Sequence, residues 1–482
     1  MERLTVEDQV MLWGDEIWPQ EIGAVAILEG DRLLAPDGRF RIEVVQQMIE
    51  ARLHLVPRFR QLLHVPRRGL GGPLWVDDPA FDLNQHVCVV PLPAPGTEAQ
   101  LLQTIEQLRR SRMDRSRPLW QMCFLPGLPG RRVGLFVRMH HIIADGVAGV
   151  ATVGVFLDAT PDVPAPAAPP PWVPAPPPTA RDLVADNLRR VVHRVARAGL
   201  TLARPTTTLR RLVPAWSAMR DLRHAAPAPD TTLNRVVGAD RRLALVRGSL
   251  AEIRQIAHAH HATVNDVLLA ATAGGLRALL RSRGEPVDDL IVRIDVPVTL
   301  RPAAVRAQAR GNLIGLIIVP LPVGLADTHR RLARIAAETA SRKARPQPSV
   351  GTVLHSRVAR RALAKILARR PVNVASADLP GPPEPVYLAG ARLLEVFPLL
   401  PLIANVSLGV GALSYAGQFT VMAVADRDAH PDLDVFADAM ANELRALAAS
   451  TTTLCRARSD PDEGRTSAGT GACDPVGRPP AR

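Results

Sequence analysis

The sequence predicts a mixed α/β protein built as two structured segments, and three observations predict it. Apolar residues recur at helical spacing in some stretches and as short continuous runs in others. A stretch dominated by proline and alanine, residues 161–179, separates the two segments. Hydrophobic residues make up 47% of the 482, which supplies a sizeable core and excludes global disorder.

The elements follow in order. Val44–Leu55 carries helical apolar spacing, and Glu98–Leu108 reads as a second helix. Arg132–Met139 is a strand that delivers the chain to His140 and His141, and Val147–Leu157, rich in small apolar residues, is a buried helix. The stretch His140-His141-Ile-Ile-Ala-Asp145-Gly146 therefore lies on a strand-to-helix loop, where side chains converge on ligands. Residues 1–160 form the first segment, and residues 161–179 a stiff, extended linker. Residues 180–229 are a basic helical connector. Leu183, Val184, Leu188, Val191, Val192 and Val195 share one helical face, with Arg189, Arg190, Arg194 and Arg197 mostly off it. Two readings stay open here: an amphipathic helix lying on a membrane or lipid droplet, or a connector packed on the second segment with solvated arginines. In the second segment, residues 230–450, Ser249 and Glu252 make a capping box for a helix to about His258, and Val264–Arg281 is another helix. Ile291–Val298 and Leu313–Pro320 read as strands, and Val406–Leu413 with Gln418–Ala425 as a hairpin. Residues 451–482, poor in apolar content, are expected to form a disordered tail.

Charge and cysteines bound the function. The formal net charge is +13, yet only Lys343 and Lys365 are lysines, as a GC-rich coding bias produces. Residues 181–223 hold ten arginines against Asp182, Asp186 and Asp221, a surface suited to phospholipid headgroups or coenzyme A phosphates. Aromatic residues, at 4%, are too few for base-stacking recognition, so nucleic acid is excluded as a partner. Cys88, Cys123, Cys455 and Cys473 form no CxxC pair; no structural zinc and no disulfide framework are expected, which fits a reducing cytoplasm. Acidic residues near the N-terminus argue against a signal peptide. The longest charge-free run, 396–425, is broken by prolines, glycines and polar residues and reads as buried strands rather than a membrane span. Contact with a membrane would be peripheral, at the inner membrane or at lipid inclusions.

His140, His141, Asp145 and Gly146 carry the chemistry. Moving an acyl group from a thioester to an alcohol needs a base near neutral pKa, donors for the oxyanion and a water-poor channel. Histidine can take the hydroxyl proton and return it to the departing thiolate. An aspartate four residues on, followed by glycine, can fix the loop that aims the imidazole.

HHxxxDG is shared by several coenzyme-A- or carrier-dependent acyltransferases, and its surroundings here resemble the bacterial wax ester synthase/diacylglycerol acyltransferase family. The resemblance runs in order from about residue 4 to 450. It includes Gln9-Val-Met-Leu-Trp13 through Trp18-Pro-Gln-Glu-Ile-Gly-Ala24, and Asp114 to Trp120 with its Pro118-Leu119-Trp120 motif. It continues through Thr263-Val-Asn265-Asp266, Val296-Pro-Val-Thr-Leu-Arg301 and Gly311-Asn312. What the resemblance implies is two chloramphenicol-acetyltransferase-like α/β halves with an active-site tunnel between them. His141 would be the general base, His140 supporting, and Asp145 mainly structural. Asn265 would stabilise the oxyanion, with Asp266 holding the helix start; read without the family, the pair is simply a helix N-terminus. Pro118, Leu119 and Trp120 would shape the substrate channel or pack the core. Asp378, in Ser376-Ala-Asp378-Leu-Pro-Gly381, stands where the family usually has asparagine. The implied substrates are acyl-CoA with diacylglycerol or a long-chain fatty alcohol, and no metal or other cofactor is called for. Two alternatives remain: a carrier-dependent condensation-type acyltransferase, and a non-catalytic lipid-binding relative. His258, His260 and His261 lack a cysteine or carboxylate at metal-ligand spacing and read as a solvated helix end.

Overall fold

The computed structural model describes residues 2–459 except 14, 17, 68, 164–170, 203–226, 300–313 and 345–371. Arg301, Gly311 and Asn312, part of the connector and residues 460–482 thus lie outside the described residues. Among the described residues, seven strands precede the linker: β1 (Glu2–Arg3), β2 (Glu21–Glu29), β3 (Gln61–His64), β4 (Leu74–Asp77), β5 (Val87–Val89), β6 (Trp120–Leu128) and β7 (Arg132–His140). Eight follow it: β8 (Arg241–Ser249), β9 (Ile291–Thr299), β10 (Ile314–Pro322), β11 (Val374–Pro380), β12 (Tyr387–Leu388), β13 (Ala391–Leu399), β14 (Leu408–Tyr415) and β15 (Gln418–Asp426).

These strands make two six-stranded sheets, β12-β13-β2-β7-β6-β5 and β10-β9-β11-β14-β15-β8, beside a small β1-β4-β3 sheet. The two-half α/β architecture is the expected one, but the boundary at 230 does not divide the sheets. Strands β12 and β13 cross back into the first sheet, where β13 pairs antiparallel with β2. The β14–β15 hairpin turns at Ala416 and Gly417, both at positive φ, a geometry that suits a two-residue hairpin loop.

Strand β7 shows why the site end is rigid. Val133, Leu135, Val137 and Met139 enter the first core, while Phe136 enters a core shared by both halves. A strand buried on both faces reads as an unbroken apolar run rather than an alternating one. Strand β2 lies so close that a Cβ on Gly23 would sit 2.2 Å from the Val137 carbonyl oxygen. The shared core joins Val25, Ile27, Phe397 and Leu399 to Leu243, Met422 and Val424 of the second sheet.

Three further expectations are corrected. Helix Leu433–Ser459 runs through the start of the expected tail, with Thr451 Oγ1 donating to Leu447 O at 2.8 Å, so its hydroxyl is satisfied within the helix. Cys88 and Cys123 are joined by a disulfide across paired strands β5 and β6. They lie 35 residues apart, and only the strand register brings them together, so spacing could not reveal the pair. The cysteines therefore no longer argue for a reducing compartment. Among the described residues, helix Ala180–Leu202 is tied to the first half: Asp186 pairs with Arg3 at 2.6 Å and Leu183 is buried, while Val184, Leu188, Val191, Val192 and Val195 are exposed. The linker is pinned to the first half, with Arg60 over the Trp172 ring at 4.5 Å and Ala175 N donating to Asp77 at 3.0 Å. Among the described residues, no helix is long and apolar enough to cross a membrane.

Candidate active site

Strand β7 ends at His140, whose N–H donates to Leu119 O at 3.0 Å. The His140 ring is buried and held on both sides. Its Nδ1 accepts from Ile142 N at 3.1 Å, which places the ring proton on Nε2, 3.1 Å from Asp15 Oδ1. Asp15 also accepts from Gln20 N at 2.7 Å and from Arg115. Burial alone would push the Asp15 carboxyl up. His140 Nε2, Gln20 N and Arg115 beside it outweigh that and hold it well below the usual carboxylate range. Gln20 returns the favour through its carbonyl, which accepts from His141 N at 2.8 Å. One aspartate thus fixes the ring of His140 directly and the backbone of His141 through Gln20.

Asp145 closes the loop as the N-cap of helix Gly146–Gly154, accepting from Ala148 N at 2.9 Å. Gly146 is a matter of space: a Cβ there would lie 2.9 Å from Leu379 Cδ2 on β11 of the second half. The histidine loop therefore abuts the other sheet, and His141 is half-buried at that junction.

Asn265 and Asp266 start helix Val264–Ser282 in the second half. Asp266 accepts from Thr263 N and Oγ1, both at 2.8 Å, and from Thr339 Oγ1 at 2.6 Å, so it locks the helix start to helix Thr328–Lys343. Asn265 differs: its Nδ2 is buried and has no acceptor among the described residues. Such a donor can be met by a water or by a ligand oxygen.

Leu119 and Trp120 belong to the first core. Trp120 stacks on Phe59 at 4.3 Å and on His86 at 4.7 Å, and its Nε1 donates to Phe59 O at 2.8 Å. Burial lowers the His86 pKa. Through Leu119 O this segment positions His140, while Pro118 and Trp120 also wall a cavity of about 200 Å³ beside Arg112 and Arg117.

With this geometry in place, comparison with known proteins is direct. The wax ester synthase/diacylglycerol acyltransferase catalytic domain matches residues 4–268, and the C-terminal domain of the same family matches 310–448. The chain belongs to the wax ester synthase/diacylglycerol acyltransferase family. It is 33% identical over 452 residues to a putative diacylglycerol O-acyltransferase of Mycobacterium tuberculosis (strain CDC 1551 / Oshkosh), covering 88% of this chain and 92% of that one. A probable diacylglycerol O-acyltransferase, tgs1, of Mycobacterium tuberculosis (strain ATCC 25618 / H37Rv) is 28% identical, covering 89% and 91%. Among solved structures, a wax ester synthase/diacylglycerol acyltransferase from Marinobacter aquaeolei VT8 shares the fold with a TM-score of 0.66 at 24% identity, covering 93% of this chain and 100% of that one. The first condensation domain of the CDA synthetase shares it at 0.57 and 16% identity, covering 93% and 96%. Membership makes the protein an acyltransferase.

Asp378 gives this family member a carboxylate close to the loop, one residue before Leu379. Burial pushes it up to about 6, opposed by the Lys343 ammonium, and it has no hydrogen bond or ion pair among the described residues. On the neighbouring strand Asp295, pushed up to about 7 by burial, accepts from Ser376 N at 2.9 Å. The β9–β11 pairing ends there, at Ala375 opposite Asp295. His260 stacks on His329 at 5.0 Å, with Nε2 and Nδ1 3.2 Å apart. Among the described residues, no group of three or more His, Cys, Asp or Glu side chains could hold a metal.

Sequence reasoning missed Asp15, Gln20 and Arg115. Asp15 and Arg115 stand 100 residues apart and Asp15 and His140 further still, so only the β2–β7 pairing, Glu21 opposite His140, brings them together. The available signals were the block Trp18–Ala24, which contains Gln20, and the block Asp114–Trp120, which contains Arg115.

Proposed function

We propose that the protein moves a long-chain acyl group from acyl-CoA to an alcohol, diacylglycerol or a fatty alcohol, with His141 as general base. The observation that carries the assignment is the division of labour in the histidine pair. The His140 ring is committed to Ile142 N and Asp15, so it serves as a buried support, and the half-buried His141 next to it is the base. The imidazole takes the hydroxyl proton as the alcohol oxygen attacks the thioester carbonyl carbon. Asn265 Nδ2 donates to the resulting oxyanion. The carbon–sulfur bond breaks as the carbonyl re-forms, and the proton passes from His141 to the thiolate, giving ester and coenzyme A. Helix Ala180–Leu202 meets the lipid surface that supplies the acceptor: its apolar stripe is exposed, Leu188 by 64% and Val195 by 65%, beside Arg189 and Arg190.

Thiol release from palmitoyl-CoA tests the reaction, with hexadecanol, dioleoylglycerol or no acceptor. Acceptor-dependent release lost in His141→Ala supports the reading; release unchanged in that variant refutes the base assignment. Asp replacing Leu188 and Val195 should abolish flotation with anionic liposomes, and retained flotation would refute the docking role.

A further inference from the structure

The edge where the two halves meet holds a second polar site, at the end of helix Glu98–Arg110. Arg110 from that helix, Arg241 from the start of β8 and Arg427 just past β15 line a cavity of about 280 Å³, together with Gln103, Glu106 and Gln107. Gathering guanidinium groups in a half-buried space is costly unless each charge and each N–H is answered. Part of the charge is answered. Arg110 pairs with Asp240 at 2.6 Å, Arg427 pairs with Glu106, and Arg241 approaches Asp426 at 3.9 Å.

Donors are left over all the same. Arg241 is only 7% exposed, and its Nε is buried with no acceptor among the described residues. Arg427 Nε is in the same state. Arg109, next along the helix, has NH1 buried without an acceptor and, among the described residues, no carboxylate at ion-pair distance. Burial, with Arg241 and Arg138 nearby, pulls the Arg109 guanidinium down to about 10. These are planar forks that donate and never accept, so their complement is an anion with several oxygens. Phosphate meets that need, and the cavity far exceeds the ~30 Å³ share of one water.

We propose that this cavity between the halves binds a phosphate-class anion, held by Arg241 and Arg427 from the second half and Arg110 from the first. The ligand bridges a junction the chain already ties once, where Glu106 accepts from Leu243 N of β8 at 2.9 Å. Two sources share the chemistry, free phosphate and the phosphates of a nucleotide such as coenzyme A. None of the HHxxxDG residues takes part, so the site stands whether or not the acyl-transfer reading holds.

Calorimetric titration and thermal melting of the full chain test it, with sodium phosphate against chloride at matched ionic strength. Phosphate should raise Tm above the chloride control, and Arg241→Gln and Arg427→Gln should each weaken phosphate binding at least fivefold. Arg427 is 39% exposed, so its substitution serves if Arg241→Gln fails to fold. Competition by coenzyme A, with dephospho-coenzyme A at least tenfold weaker, assigns the site to the nucleotide 3′-phosphate; equal competition assigns it to the pyrophosphate. Phosphate binding indifferent to both assigns it to the free anion. No binding above the chloride control, or binding unchanged in Arg427→Gln, overturns the proposal.

Discussion

Replacing Asp15 tests whether the histidine pair is aimed from outside its own motif. Asp15→Ala removes the acceptor of buried Gln20 N at 2.7 Å and the carboxylate that faces His140 Nε2 at 3.1 Å. The stranded Gln20 donor costs about 1–3 kcal/mol and the lost carboxylate beside His140 a similar amount, giving a loss of about 2–6 kcal/mol. Arg115 adds little, because its side chain is 47% exposed and water can replace its partner. Asp15→Asn keeps an acceptor for Gln20 N and should cost only about 1–2 kcal/mol, which leaves a folded variant to assay. Its damage falls on catalysis, since both the His140 ring and the Gln20 carbonyl that holds His141 N depend on this side chain. A kcat loss of about 10–100-fold, equivalent to about 1.4–2.7 kcal/mol of transition-state stabilisation, is expected with KM for palmitoyl-CoA little changed. Thiol release with hexadecanol measures both constants, and calorimetric melting measures the stability. A kcat within twofold of wild type, or a loss confined to KM, would refute the reasoning. The pH dependence has a definite sign. The folded Asp15 value is depressed, so its contribution is complete above the ordinary carboxylate pKa of about 4 and is lost as pH falls toward the depressed value.

The remaining predictions concern the surroundings of the loop. Asp378 titrates at about 6 when folded, above its unfolded value of about 4, so stability falls as pH rises between the two and stays lower above. Asp378→Asn should therefore gain more Tm over wild type at pH 8 than at pH 5, and an equal gain at both would count against the burial argument. Gly146→Ala pushes a methyl onto Leu379 Cδ2; because the leucine end can move, the cost should be about 1 kcal/mol and a few-fold in kcat. Adding Leu379→Ala should restore the rate, whereas additive losses would show that the contact is irrelevant. Trp120→Leu removes two stacking partners and the bond to Phe59 O, and urea unfolding should show a loss of about 2–4 kcal/mol. A loss below about 1 kcal/mol would contradict its place in the core.

Much of this protein was legible in the sequence because local pattern carries it. The apolar run at 132–139 and the small-residue helix after Gly146 placed the HHxxxDG loop between strand and helix, as observed. Asn265 and Asp266 announced a helix start, and the two-half α/β architecture followed from the family blocks. The sequence also determined which residue types were available for acyl transfer, since the motif is contiguous and its spacing is chemical.

Tertiary structure decided what long-range register controls. Asp15 reaches His140 only because β2 pairs with β7, and Cys88 meets Cys123 only because β5 pairs parallel with β6. Strand β13 joins the first sheet although it lies far along the chain, because its apolar residues complete the core between the halves. The apolar stripe of helix 180–202 was readable from its spacing, but its exposure was not, because spacing gives a face and never says what lies against it. The arginines at 110, 241 and 427 carry no shared motif; the meeting of the two halves alone makes them one site.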